Sequence, residues 1–170
     1  MICRVNISYN KQSQGFSLIE VLVALTVVSV GLLGVVGLQT STQQYSRNAY
    51  YHTQATIISH DMSERIRANP VARLSKSYHL VSPLNIKNCR TKLGCSPPQM
   101  AQNDRYEWGE VIKNQLPQGA GLVCIDSSPN DGSISSPTCD NKGSQYAIKL
   151  WWYDTLENKT IRRVMEVGFE

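Results

Sequence analysis

Glu20 is the residue whose position most demands a chemical explanation. It is the fifth residue of an apolar stretch, residues 16–38, and residues 21–46 contain no Asp, Glu, Lys or Arg. A carboxylate without a partner at bilayer depth costs at least about 2.5 kcal/mol on insertion scales. Either Glu20 stays hydrated at the headgroup boundary, or a cation from another chain pairs with it. A cut in the chain close by would supply that cation as a free α-amino group, whose usual pKa is about 8.

The apolar stretch is long enough to cross a membrane. Its 23 residues would form about 34 Å of helix, which spans the hydrocarbon layer of a bilayer. Arg4 and Lys11 precede it, and the first fifteen residues contain no acid. The positive-inside rule therefore predicts a cytoplasmic N-terminus and an exported C-terminal part. No second run reaches this length, which disfavours a polytopic membrane protein, and the length of the run disfavours a cleaved secretory signal.

The cysteines beyond this stretch point to disulfide chemistry. An even number of cysteines in a segment expected to be exported favours two disulfides. We choose the local pairing, Cys89 with Cys95 and Cys124 with Cys139, because each bond closes a short, turn-rich loop. A zinc site made of the four thiolates is the alternative, although the spacings lack the close pairs that zinc sites prefer. We expect no metal and no cofactor.

The remaining polar residues do not form a recognisable catalytic set. None of the three histidines lies beside a nucleophile motif. Asp126, Asn130, Asp131 and Asp140 could bind calcium, but they do not follow the spacing of an EF-hand loop and are better explained as turn formers. The formal net charge is only +4, and the Lys and Arg residues do not cluster into a basic segment. Nucleic acid is therefore not expected as a direct partner. The sequence therefore predicts a protein that is not an enzyme.

Residues 15–20 (GFSLIE) resemble the class III signal of type IV pilins and type II secretion pseudopilins. In those families prepilin peptidase cuts after the glycine, the new N-terminal Phe is N-methylated, and the Glu pairs with the N-terminal amine of a neighbouring subunit. The resemblance implies that residues 1–15 are a leader peptide and that Gly15 and Phe16 flank the cleavage site. It also implies N-methylation of Phe16 and a role for Glu20 in subunit assembly.

Two later segments make the resemblance specific to one family of pilins. Residues 31–39 (GLLGVVGLQ) and 60–70 (HDMSERIRANP) are similar to minor pilins of the PilV family, the type IV pilus modification proteins. This implies a minor pilin that is incorporated into, or primes, a bacterial type IV pilus (fimbrium). The implied partners are prepilin peptidase, other minor pilins, the major pilin, the inner-membrane assembly platform and membrane lipid. A minor pseudopilin of a type II secretion system is the alternative, and a membrane-anchored periplasmic binding domain or enzyme is the second alternative.

The implied location is the bacterial inner membrane, crossed once, with the N-terminus cytoplasmic and the head periplasmic, and later the pilus at the cell surface. The chain then divides into a leader (1–15), a transmembrane half-helix (16–38), an amphipathic half-helix (39–69) and a disulfide-bonded head (70–170). Gly31, Gly34 and Gly37 are expected either to allow close helix packing or to let the helix bend. One face of the second half collects apolar residues at helical spacing: Tyr51, Ala55, Ile58, Met62 and Ile66.

The head is predicted to be α+β. Asn69 and Pro70 should end the long helix after Ala68 and lead into an irregular stretch, and a second short helix should open at Pro97. Strands are predicted at residues 122–126, 145–154 and 160–169, as a small antiparallel sheet on which the long helix packs. This is the type IV pilin fold that the resemblance implies. Alternation within the second strand places Trp151 and Tyr153 on its outward face, as a candidate subunit contact.

Overall fold

The computed structural model describes residues 15–169. The expectations for Arg4, Lys11 and the body of the leader fall outside the described residues. The described chain divides into two compact units, with the boundary between Gln43 and Gln44. In chain order its helices and strands are α1 (Leu18–Ala68), α2 (Pro70–Leu74), a 3-10 turn (Lys87–Arg90), α3 (Pro97–Gln115), β1 (Ala120–Ile125), β2 (Gln145–Asp154) and β3 (Lys159–Gly168).

The first unit contains the N-terminal part of α1. Its most apolar 18-residue window has a mean hydropathy of 2.6, and none of that window is buried. By length and composition this helix could cross a membrane. Gly31, Gly34 and Gly37 do not interrupt it, and no heavy atom lies within 4 Å of the position that a Cβ would occupy at any of them. The first unit is therefore a regular helix with an apolar surface.

The second unit has one hydrophobic core, formed by α1, α3 and the sheet. Ile58 and Met62 of α1 are buried in one cluster with Trp108 of α3 and Leu150 of β2. The Trp108 indole N–H donates a hydrogen bond to the Ile58 carbonyl oxygen at 2.9 Å, which satisfies a polar group that would otherwise be costly to bury. The predicted α+β class, with a long helix on a small antiparallel sheet, is confirmed.

The sheet has the order β1-β2-β3 and is antiparallel throughout. Cys124 of β1 lies opposite Ala147, and Leu150 of β2 lies opposite Arg163 of β3. The bounds of β2 are those predicted from its alternating pattern. Because side chains alternate between the two faces, Leu150 faces the core while its neighbour Lys149 faces the opposite side of the sheet.

The stretch after Pro70 differs from the expectation of irregular structure. α1 ends at Ala68, as the proline predicted, but Pro70 immediately begins the short helix α2. The Asn69 side-chain oxygen accepts a hydrogen bond from the Ala72 N–H and caps that helix. A proline in the first turn of a helix loses no hydrogen bond, so the residue that stops α1 is also suited to start α2.

Candidate functional site

The segment predicted to be cut lies at the start of the described chain. Gly15, Phe16 and Ser17 precede α1, and the Glu20 N–H bonds to the Ser17 carbonyl oxygen at 3.0 Å as the helix begins. Phe16 is 79% exposed. Glu20 lies in the first turn of α1 and is exposed. A carboxylate in this position interacts favourably with the positive end of the helix dipole, so the fold presents this acid to the surroundings of α1.

Glu20 has no cationic partner within residues 15–169, where every ion pair joins other residues. Gly15 is also open, because no heavy atom lies within 4 Å of the position its Cβ would take. The structure therefore brings Gly15, Phe16 and Glu20 together in one short, accessible segment. The four cysteines predicted to pair lie in the second unit.

The cysteines form two disulfides in the local pairing chosen from loop length. Cys89 is bonded to Cys95 with Cα atoms 4.8 Å apart, and Cys124 is bonded to Cys139 with Cα atoms 6.1 Å apart. Asp126 lies beside the second disulfide, so that its carboxylate and the two sulfurs are within 4.8 Å of one another. Both sulfurs are used in the S–S bond, and this cluster therefore offers no thiolate to a metal ion.

Lys149 is a residue whose importance the sequence did not reveal. Its ammonium nitrogen is fully buried on the face of the sheet opposite the core, 2.5 Å from Asp126 Oδ2 and 3.0 Å from Asp131 Oδ1. It also donates to the Pro137 carbonyl oxygen at 2.8 Å. Hydrogen bonds from the Thr138 hydroxyl and from Lys149 hold the pKa of Asp131 well below its usual range. Two of the acids considered as calcium ligands thus bind the Lys149 ammonium.

The loop of residues 127–143 covers this face of the sheet. The Arg162 guanidinium donates to the carbonyl oxygens of Asn130 and Gly132, in the second case at 2.6 Å. Trp151 is only 4% exposed. Trp151 does lie on the face of the sheet opposite the core, but the expectation that it is a subunit contact is wrong, because the disulfide, the Lys149 ion pairs and Arg162 hold a polar loop over it. Tyr153 is partly exposed, and its hydroxyl bonds to the Asn158 side chain.

A second polar cluster joins α1 to α3. Arg65 of α1 pairs with Asp61 at 2.9 Å, Glu107 at 3.0 Å and Asp104 at 3.2 Å, and the Tyr78 hydroxyl donates to Asp104 at 2.6 Å. Burial and this hydrogen bond to a carboxylate raise the pKa of Tyr78 above its usual range. The protonated Tyr78 hydroxyl and the Arg65 guanidinium, which pairs with three acids, therefore stabilise the packing of α1 against α3.

Two of the three histidines, His79 and His52, have structural contacts. The His79 Nδ1 accepts a hydrogen bond from the Ile125 N–H at 2.9 Å, which requires an unprotonated nitrogen. Burial, and the nearby charge of Lys76, lower the pKa of His79. The His52 ring stands edge-on to the Trp152 ring, with Nε2 at 3.8 Å from an Asp154 oxygen. Both side chains therefore have structural contacts within the second unit.

Comparison with known proteins identifies the N-terminal segment. Residues 10–36 match the family described as the prokaryotic N-terminal methylation motif, and this match includes Gly15, Phe16 and Glu20. Comparisons with curated proteins and with solved structures gave no significant match. The motif and the exposed apolar helix indicate a membrane-anchored, pilus-associated protein. More particularly, the motif indicates a type IV pilin-like or pseudopilin protein that prepilin peptidase processes and that assembles with other pilins.

Proposed function

We propose that this chain is a minor pilin of the PilV type, which is incorporated into, or primes, a type IV pilus after prepilin peptidase cuts between Gly15 and Phe16. Glu20 carries the proposal: it is an exposed carboxylate, without a partner among residues 15–169, in the first turn of a helix that could span a membrane. The resemblance of residues 31–39 and 60–70 to PilV proteins supports this assignment over a minor pseudopilin.

Cleavage creates a positively charged group near Glu20, which could serve as the cation that this carboxylate lacks. The cut removes Arg4 and Lys11 and creates an amine at Phe16, which N-methylation leaves basic. When two α1 helices are staggered along an axis, Glu20 of one subunit can pair with the Phe16 amine of the next. An ion pair at this depth replaces an unpaired carboxylate, so assembly relieves a cost that the single subunit bears.

In this proposal the N-terminus faces the cytoplasm and the head folds in the periplasm, where the two disulfides can form and persist. The subunit waits in the inner membrane until the assembly platform adds it beside other minor pilins and the major pilin. The apolar surface of α1 is first covered by lipid and then by neighbouring helices. The head then becomes part of the pilus at the cell surface.

Processing is tested by mass spectrometry of the chain purified from its native host. The expected N-terminus is N-methylated Phe16, and a strain without prepilin peptidase should retain residues 1–15. Gly15→Ala should also retain them, whereas Gln14→Ala, a matched change beside the cut, should be processed. An intact leader in cells with an active peptidase would argue against both pilin and pseudopilin roles.

Assembly is tested by substituting Glu20. Glu20→Gln keeps the shape of the side chain and removes its charge, so membrane insertion should persist while incorporation into sheared pili falls at least about tenfold, the factor that corresponds to 1.4 kcal/mol. Glu64→Gln is the control, because Glu64 is an exposed acid on the same helix, paired with Arg67. Equal incorporation of Glu20→Gln and wild type would show that the carboxylate is dispensable.

The two pilin-like roles are separated by deleting the gene in its host. Loss of the PilV-type subunit should lower piliation and leave type II secretion unchanged, and the chain should be found in the sheared pilus fraction. Loss of secretion with normal piliation would instead assign the chain to a pseudopilus.

A further inference from the structure

The two edge strands of the sheet, β1 and β3, differ in whether their outer backbone groups have hydrogen-bond partners. At the outer edge of β1, the Val123 carbonyl oxygen accepts from the Leu80 N–H at 3.0 Å, and the Ile125 N–H donates to His79 Nδ1 at 2.9 Å. The Ile125 carbonyl oxygen accepts from the Asn141 N–H at 3.0 Å. Loop segments from before α3 and after β1 thus close this edge, so it offers little to another strand.

The edge formed by β3 is open. Its ten residues pair with β2 on one side. On the other side, no backbone group of Lys159–Gly168 bonds to another element within residues 15–169. A row of unpaired N–H and C=O groups is a template for an added strand unless charge, a bulge or a covering segment blocks it. β3 therefore has the backbone requirement for strand addition.

The open edge carries positive charge that carboxylates do not balance. Arg162 and Arg163 are adjacent, and neither forms an ion pair with a carboxylate of the described chain. Arg162 binds neutral loop carbonyl oxygens, and the Arg163 Nε is buried without a hydrogen-bond partner. Glu166 is the single acid in the strand. A segment lying along β3 would therefore gain by carrying acidic side chains.

A groove runs beside this edge. It has a volume of about 660 Å³ and lies between the loop of residues 127–143 and β3, with Ile134, Trp151, Thr160 and Arg162 among its lining residues. The Trp151 Nε1 has no hydrogen-bond partner within the described residues, although the side chain is almost fully buried. Apolar lining residues in a groove next to an open edge can receive the alternate side chains of an extended peptide.

We propose that β3 is a docking edge, to which an extended acidic segment of a partner polypeptide adds as a fourth strand. An acidic segment suits this edge better than a second copy of this chain, because full-length antiparallel pairing of two β3 strands would place Arg162 and Arg163 opposite Met165 and Val164, which carry no charge to pair with them. The docking edge does not depend on the pairing of Glu20 in α1. It assigns to the head a recognition role distinct from assembly through the helix.

The test uses the full chain in a neutral detergent. The probe is a fluorescent peptide as long as β3, with alternating Val and Glu, and the control peptide has Lys in place of Glu. Fluorescence anisotropy should give a dissociation constant at least about tenfold lower for the Glu peptide than for the Lys peptide. Hydrogen exchange should slow at alternate amides of β3 when the Glu peptide binds, and remain unchanged in β1. Added salt should weaken the preference.

Arg163→Glu provides the matched variant, with Arg67→Glu, an exposed arginine on α1, as its control. Arg163→Glu should abolish or reverse the preference for the Glu peptide, and Arg67→Glu should leave it unchanged. Should Arg163→Glu fail to fold, the salt titration and exchange data on the wild-type chain decide the question. Equal affinity for the two peptides, no binding of either, or binding without protection of β3 would overturn the proposal. Protection of β3 by self-association, measured by sedimentation, would do so as well.

Discussion

The two parts of α1 have the same backbone and opposite surroundings. In the first unit, large apolar side chains such as Leu33 are exposed, in this case by 73%. In the second unit, Ile58 and Met62 are 2% and 0% exposed. Helix formation alone cannot account for both, because an exposed apolar surface in water costs free energy that burial regains. The apolar side chains in the second part of α1 are covered by residues of the same chain, whereas those in the first part require lipid or other chains to cover them.

The sharpest test of this contrast is a matched pair of truncations. Met62→Ala should lower the free energy of unfolding of the second unit by about 2–5 kcal/mol, because it removes buried contacts and leaves a cavity. Leu33→Ala should leave that value unchanged. Denaturant titration in neutral detergent measures both, since all three tryptophans lie in the second unit and their fluorescence reports its unfolding. Equal losses would show that the two units do not differ in this way.

Removing the disulfides tests how much of the stability of the second unit comes from its cross-linked loops rather than from its hydrophobic core. Replacing both Cys124 and Cys139 by Ser opens a loop with a sequence separation of 15, and the loop-entropy relation gives a loss of about 3 kcal/mol. The separation between Cys89 and Cys95 is 6, for which the same relation gives about 2 kcal/mol.

The observed difference between the two double variants should exceed this entropic gap. The bond between Cys124 and Cys139 also holds the loop that supplies oxygen partners to the buried Lys149 ammonium. Unfolding titrations of the two variants in the same detergent measure the difference. A larger loss from the Cys89 and Cys95 variant would show that the covering loop is dispensable.

Two glycine-to-alanine substitutions, one in each unit, should change stability in opposite directions. A Cβ on Gly121 would lie 2.5 Å from the Trp108 ring, so Gly121→Ala should destabilise the second unit by about 1–3 kcal/mol through overpacking. A Cβ on Gly34 meets nothing within 4 Å, so Gly34→Ala should favour the helix by about 1 kcal/mol. Tryptophan fluorescence reports the first change, and hydrogen exchange of α1 in detergent reports the second. If Gly34→Ala instead lowers pilus incorporation, the glycine serves close helix packing in the assembly.

Local patterns predicted most of the helices and strands. The alternation of β2, the end of α1 at Ala68 and the start of α3 at Pro97 are present as predicted. These features depend on residues near one another in sequence, such as Ser96, whose N–H bonds to the Gln99 side chain at 2.9 Å. The motif around Gly15 and Glu20 could likewise be recognised, because its spacing is contiguous.

The buried face of the sheet beneath the loop could not be predicted in the same way. Alternation grouped Lys149 with Trp151, but it could not reveal that residues 127–143 fold over both. That arrangement needs Asp126, Asp131 and Pro137 to meet one ammonium across at least twelve residues of sequence. The open edge of β3 is also invisible in the sequence, since it depends on which strand lies at the border of the sheet.

The smallest expected effect is a pH dependence confined to the second unit, since residues 15–43 contain no histidine. The pKa of His79 is lowered on folding, so between its folded and unfolded pKa values the unfolded chain binds more protons, and the free energy of unfolding falls as the pH drops below about 6.5. Protonation would also remove the acceptor of the Ile125 N–H. His79→Asn keeps an acceptor and does not titrate, so it should lose less stability than wild type between pH 7 and pH 5, while the carboxylates titrate alike in both chains. Parallel unfolding curves for the two proteins across this range would mean that His79 does not sense pH.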